Sequence, residues 1–127
     1  MRGEQKPENN RSDHAEQARW EQAAETWVDD ADDIALMTLG ATNALLSALC
    51  PLPRERILDL ACGPGDPSLA LARRVGPEGR VLSTDAVAPM VAALQQRARA
   101  AALDWLEARG CSAQDLQLSP ASFDGAC

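Results

Sequence analysis

Apolar and polar positions follow two periods along this chain, and each change of period marks an element. Met1 to Ser12 is almost wholly polar, with too little to bury to offset the entropy of ordering, so residues 1–13 are predicted to be a disordered tail. From Asp13 the period turns helical. Asp13 and Glu16 have capping-box spacing, and Trp20, Ala23, Ala24, Trp27 and Val28 follow on one face. Ile34, Met37, Ala41, Leu45 and Leu49 form a second helical stripe, which Pro51 and Pro53 end. Ile57, Leu58 and Leu60 then read as a short buried strand that breaks into a turn at Gly63 and Gly65. Asp66 suits the N-cap of the following helix and Pro67 its first turn. Leu69, Ala72 and Val75 keep helical spacing up to the stop at Gly76 and Pro77. Val81 to Ser83 is a second strand ending at Asp85, and Met90, Val91, Leu94 and Ala98 mark another helix. Trp105 to Arg109 is a weaker third strand, and Ser122 to Cys127 looks like the start of a fourth.

Strand, helix, strand, helix predicts an α/β fold with a parallel sheet and right-handed crossovers. The expected organisation is a tail over 1–13, a helical cap over 14–53 and an α/β unit over 54–127. A sheet stopped one or two residues into its fourth strand leaves the edge of its first strand open. The α/β unit therefore reads as incomplete, a fragment or a truncated gene product.

Composition narrows the partners. A chain of 127 residues, 46% hydrophobic, fits one globular unit. Its formal net charge of −7 argues against nucleic acid or an anionic membrane surface and in favour of a small neutral or cationic ligand. No apolar run approaches the length of a membrane span or the core of a signal peptide, so the expected compartment is the cytoplasm, with oligomerisation left open. Cys50, Cys62, Cys111 and Cys127 contain no C-x-x-C pair and read as reduced thiols, with no metal expected. Asp29, Asp30, Asp32 and Asp33 lack the spacing of a calcium loop and read as a solvated helix start. His14 reads as an ordinary surface histidine.

The chemistry concentrates at the glycine turn, because a strand–tight loop–helix junction at the carboxyl end of a parallel strand is where nucleotide-like ligands bind. A P-loop is excluded, since no Gly-Lys-Ser/Thr follows. A dinucleotide loop wants a third glycine where Ser68 stands. Asp85, 20 residues past Gly65, is placed to accept ribose hydroxyls and so fits any adenosine-containing cofactor. Asp59, inside the first strand, gives the pattern Asp59-x-Ala61-x-Gly63-x-Gly65.

With that acid in place, residues 57–66 (ILDLACGPGD) resemble the first motif of class I S-adenosylmethionine-dependent methyltransferases, an acidic residue followed by G-x-G-x-G, with Ala61 replacing the first glycine. The resemblance continues through residues 81–90 (VLSTDAVAPM), 113–116 (AQDL) and 122–126 (SFDGA), and covers 56–127. It is nearest in character to the branch of ubiquinone and menaquinone C-methyltransferases, where a tryptophan-bearing helix often precedes the domain, as Trp20 and Trp27 do here. The resemblance implies a partial Rossmann-like parallel sheet of three strands plus the start of a fourth, helices on both faces and an N-terminal helical extension. It implies S-adenosyl-L-methionine as cofactor. Its methionine end would lie on the backbone of Ala61, Cys62, Gly63, Pro64 and Gly65, with Asp59 organising that end. Asp85 would hold the ribose, Ala86 and Met90 would flank the adenine, and Ala113 would offer its N–H to the ring. Ser112 stands where many relatives carry an aspartate for the adenine amino group.

The implied reaction is methyl transfer to a small-molecule acceptor. There the protein mainly positions the reactants and excludes water, and no residue is assigned as catalytic base. Two other readings stay open: a non-catalytic interaction module built on the Trp20 and Trp27 helix or the exposed strand edge, and a fragment of a nicotinamide-dependent dehydrogenase.

Overall fold

The computed structural model describes residues 8–127, with side chains from residue 12 onward. Three helices come first: α1 (Glu8–Asp29), α2 (Ala31–Met37) and α3 (Leu39–Leu49). Helix α1 thus begins five residues ahead of the expected Asp13, so the predicted tail gives way to helix at Glu8; the rest of that prediction lies outside the described residues. The stripe predicted as a single helix from Ile34 to Leu49 is divided at Thr38. The Thr38 hydroxyl donates to the carbonyl of Ile34 at 2.8 Å, a back-bond that competes with the helical ladder and bends it.

The α/β unit follows as β1 (Arg56–Leu60), α4 (Asp66–Val75), β2 (Arg80–Asp85), α5 (Ala88–Ala100), β3 (Leu106–Gly110) and β4 (Gly125–Ala126). The four strands form one parallel sheet in the order β3-β2-β1-β4. The third strand starts one residue after the expected Trp105, whose indole Nε1–H donates instead to the carbonyl of Ala72 at 2.6 Å. Among the described residues no helix is long and apolar enough to cross a membrane.

Register explains the core. Ile57 lies opposite Val81, and Val81 opposite Leu106, so these three side chains share one face of the sheet. They join one buried cluster with Leu71, Ala72 and Val75 of α4 and Val91, Leu94 and Ala98 of α5, while Leu46 and Leu49 of α3 pack against it. Each fully buried aliphatic side chain of this kind contributes about 1.5–3 kcal/mol. Helices α4 and α5 pack on the same face of the sheet. The reason is topological, since β1, β2 and β3 step across the sheet in one direction and right-handed crossovers then put both helices on the same side. A smaller cluster docks α1 on α5, with Ala24 against Val87 and Met90, flanked by Trp27 and Val28. That packing brings the N-terminal helices over the carboxyl ends of β1 and β2.

Candidate cofactor site

The turn after β1 is a bend with three residues at positive φ: Ala61 at 52°, Gly63 at 56° and Gly65 at 96°. Only glycine accepts the last of these without strain. Gly65 serves as the N-cap residue of α4, and no side chain caps that helix. The expected capping role of Asp66 is therefore corrected, because the left-handed Gly65 already fills that position and Asp66 is one residue inside the helix. Its carboxylate is drawn away to Arg97 of α5, with Nη2 2.9 Å from Oδ1.

Backbone and side-chain bonds hold the bend. The N–H of Cys62 donates to the carbonyl of Thr84 at 2.9 Å, and that of Gly65 to the carbonyl of Cys62 at 3.1 Å. At the end of β2 the carboxylate of Asp85 accepts twice, from the N–H of Gly63 at 2.8 Å and from the N–H of Val87 at 2.9 Å. One acid thus ties the bend to the turn leading into α5. Each carboxylate oxygen keeps acceptor capacity beyond the bond it already makes.

Asp59 does something different from Asp85. It is 4% exposed and does not line the cavity described below. Its carboxylate accepts from the hydroxyl of Ser68, which in turn accepts from the hydroxyl of Ser83 at 2.8 Å; Cys127 Sγ lies 3.7 Å from its other oxygen. Burial pushes the Asp59 carboxyl above its ordinary range against the opposing effect of the Ser68 and Cys127 bonds, and the nearby charge of Asp85 adds to the rise. The same burial, with the charges of Asp59 and Asp85 adding, raises the Cys62 thiol. Cys127 is pushed up to about 12 by burial and by Asp59. Asp59 supports the bend from behind.

In front of the bend lies a cavity of about 670 Å³, within the size range of cofactor and small-molecule sites. Its sheet side is lined by Ala61, Cys62, Gly63 and Pro64 of the bend, by Asp85, Ala86 and Met90, and by Ser112 and Ala113 beyond β3. Nine of the eleven residues singled out in the sequence therefore come together on one wall. The other two, Asp59 and Gly65, stand behind it. Gly65 is turned inward, where a Cβ would come within 2.1 Å of Leu94, whereas a Cβ on Gly63 would meet nothing within 4 Å.

The opposite wall comes from the N-terminal helices: Trp20 and Trp27 of α1, Ile34 of α2, and Ala41, Thr42 and Leu45 of α3. The two indoles meet edge to face, with centroids 5.7 Å apart. Gln17 and Gln114 tie this wall to the sheet, donating to the carbonyl of Ala86 at 3.3 Å and to Asp13 at 3.2 Å. Asp13, Glu16, Asp66 and Asp85 supply carboxylates, and among the described residues no lysine, arginine or histidine lines the space. The cavity is apolar on the helical side and acidic where the walls meet, a combination suited to a ligand with cationic and flat apolar parts.

Sequence reasoning passed over three residues here. Ser68 was noticed only as the place of a missing glycine, yet it is fully buried and holds Asp59. Ser83, alternating onto the same sheet face as Val81, completes that relay; a serine inside an apolar strand was its only signal. Arg97 carries no motif signal, and its role shows only in its bonds to Pro64 and Asp66.

A family model described as methyltransferase domain matches residues 57–127. The chain is similar to a 2-phytyl-1,4-naphtoquinone methyltransferase of Trichormus variabilis, 40% identical over 78 residues that make up 58% of this chain and 33% of that protein. It is also similar to a ubiquinone/menaquinone biosynthesis C-methyltransferase of Xanthomonas campestris, 38% identical over 97 residues, 70% of this chain and 37% of that one. The chain spans about a third of the length of the curated relatives it matches. Among solved structures, a SAM-dependent methyltransferase from Aquifex aeolicus superposes with a TM-score of 0.61 at 20% identity, covering 67% of this chain and 45% of that one. A geranyl diphosphate C-methyltransferase from Streptomyces coelicolor, solved with S-adenosyl-L-homocysteine, gives 0.63 at 21% identity, covering 68% and 32%. At those identities the superpositions establish the shared fold.

Proposed function

The chain belongs to the class I S-adenosylmethionine-dependent methyltransferase family, its residues 57–127 matching the methyltransferase domain, and from that premise we propose that the cavity takes S-adenosyl-L-methionine for methyl transfer to a small-molecule acceptor. The observation that carries the proposal is Asp85. Its carboxylate is fixed by two backbone N–H groups at the cavity wall, with acceptor capacity left over for a pair of hydroxyls. The residues present fit the cofactor. The space over Gly63 is open where a side chain would stand, so a ligand can approach the peptide itself, and the surrounding carboxylates suit a positively charged molecule.

Bound S-adenosylmethionine supplies a methyl group on a cationic sulfur, which leaves as a neutral thioether. The chain's own part is to bind, orient and dry. In this reading the backbone from Ala61 to Pro64 meets the methionine end, and Asp59 keeps that backbone in place from behind through Ser68. Asp85 holds the ribose; Ala86, Met90, Ser112 and Ala113 border the base. Trp20, Trp27, Ile34 and Leu45 close the other side and exclude water, which strengthens every charge interaction inside. The relatives are named for quinone substrates, and the apolar, tryptophan-bearing wall supports an acceptor of that general kind, a small ring with little charge. An acceptor carbon that is already nucleophilic needs positioning more than a base.

Within this reading residues 54–127 are the cofactor-binding part and 14–53 the cap that completes the site. A cytoplasmic location belongs to the same proposal, supported by four cysteines that are all free thiols.

Isothermal titration of this chain with S-adenosyl-L-homocysteine tests the proposal. Saturable binding is expected, weakened by about tenfold or more in Asp85→Ala, equivalent to about 1.4 kcal/mol. No saturable binding by the unaltered chain overturns the cofactor reading.

A further inference from the structure

We propose that Arg97 is a positioning residue for the cofactor bend: one guanidinium on α5 fixes both the Pro64 peptide and the start of α4, and so sets the backbone against which the cofactor is held. Arg97 Nη1 donates to the carbonyl of Pro64 at 2.8 Å, and Nη2 lies 2.9 Å from Asp66 Oδ1. The side chain is largely covered, at 22% exposure, and Asp66 more so at 13%. The same Nη2 is 3.4 Å from Asp32 of α2, but that carboxylate is 98% exposed and so contributes little.

The bend needs such a tie. It carries three consecutive alternate residues at positive φ, one of them the non-glycine Ala61, and such a conformation persists only when its surroundings over-determine it. Asp85 secures the N–H side of Gly63. Pro64 has no N–H, so its carbonyl is the only backbone group by which that residue can be held, and Arg97 takes it. Leu94, one turn earlier on α5, bears on Gly65. Spacing of three residues puts Leu94 and Arg97 on neighbouring rows of the helix, one bracing the bend by contact and the other by hydrogen bonds. A lysine cannot reproduce this, because a single ammonium does not present the planar fork that reaches a carbonyl and a carboxylate together.

This inference rests on the cofactor reading for its consequence but not for its geometry, and the test separates the two. Amide hydrogen exchange of the ligand-free, 15N-labelled full chain is compared for wild type, Arg97→Lys, Arg97→Met and Asp66→Asn. In Arg97→Met, exchange at Gly63 and Gly65 is expected to speed up by about tenfold, while core amides of Leu71 and Val81 stay within about twofold of wild type. Arg97→Lys falls between, and Asp66→Asn, which keeps the bond to Pro64, stays near wild type at Gly63. Titration of wild type, Arg97→Lys and Arg97→Met with S-adenosyl-L-homocysteine is expected to rank the dissociation constants in the same order. Unchanged exchange at Gly63 in Arg97→Met, or equal acceleration at Leu71 and Val81, overturns the positioning role and makes Arg97 a general stabiliser. Failure of the wild-type chain to bind removes the cofactor reading and leaves the exchange result to decide on Arg97.

Discussion

Replacing Gly65 with alanine tests whether the bend is pressed onto α5, and a second glycine in the same loop provides the control. At Gly65 the added methyl would stand 2.1 Å from Leu94 Cδ1 and 2.9 Å from Cδ2 and Cγ, and Leu94 is wholly buried, so it has no free space to swing into. At Gly63 the same methyl would meet nothing within 4 Å. Both positions have positive φ, 96° and 56°, so both substitutions carry the left-handed penalty of about 1–2 kcal/mol. Both also gain the same few tenths to about 1 kcal/mol from a stiffer unfolded chain. Those contributions cancel in part, and the wider φ of Gly65 adds to its own cost. What remains at Gly65 is overpacking against a buried leucine, about 1–3 kcal/mol. Gly65→Ala is therefore expected to unfold at a urea midpoint lower than Gly63→Ala by about 1 M, with unchanged slope, for a slope of about 1–3 kcal/mol per M. Tryptophan fluorescence serves as the signal. In a Leu94→Ala background the extra penalty of Gly65→Ala should shrink, because the obstructing atoms are gone. Unfolding free energies that agree to within about 0.5 kcal/mol for the two glycine variants would refute the reasoning.

Two further outcomes follow from the buried acid and its thiol neighbours. Asp59 has its carboxyl raised by burial, so the folded protein keeps its proton at pH values where the unfolded chain has lost it, and stability falls as pH rises from about 4 towards the folded value. Asp59→Asn has no proton to lose there, so its stability relative to wild type should improve as pH rises above about 4 in urea titrations; a difference that does not vary with pH would contradict the assignment. Cys62 is buried with its thiol raised, and Cys127 is pushed up to about 12, whereas Cys50 is exposed. A thiol reagent at pH 8 should therefore modify Cys50 rapidly, Cys127 more slowly and Cys62 only on unfolding; fast labelling of Cys62 in the folded chain would sink the packing described around Asp59.

The readable parts of this molecule are those determined by neighbours in the chain. The strand from Ile57, the glycine turn and the helix to Val75 follow from local sterics, since only glycine tolerates the φ of Gly65 and only a small-residue loop lets β1 pass at once into α4. The wall of the cavity was legible for the same reason: Asp85 ends a strand that pairs in parallel with β1, Thr84 opposite Leu60, and that register delivers its carboxylate to Gly63. The layering was also within reach. Three strands stepping the same way with right-handed crossovers put α4 and α5 on one face, whatever the side chains.

What stayed hidden depends on side chains meeting across long separations. Asp66 looks like a cap in isolation, and only Arg97, 31 positions later, explains why its carboxylate turns elsewhere. The apolar stripe from Ile34 to Leu49 runs through Thr38 without a break, so its period gives no warning that a hydroxyl bonds back to Ile34 and divides the helix. Ser68 and Ser83 occupy positions where an apolar residue would pack as well. They are polar because Asp59 lies between β1 and α4 with no basic partner among the described residues, and a buried carboxylate without hydroxyl donors would carry its full desolvation cost. The motif acid and the two serines form one structural unit, so changing Ser68 to alanine should disturb the bend through Asp59 rather than by any contact with ligand. That places the first acid of the motif among the groups that shape the backbone, and leaves Asp85 as the acid that faces the cavity.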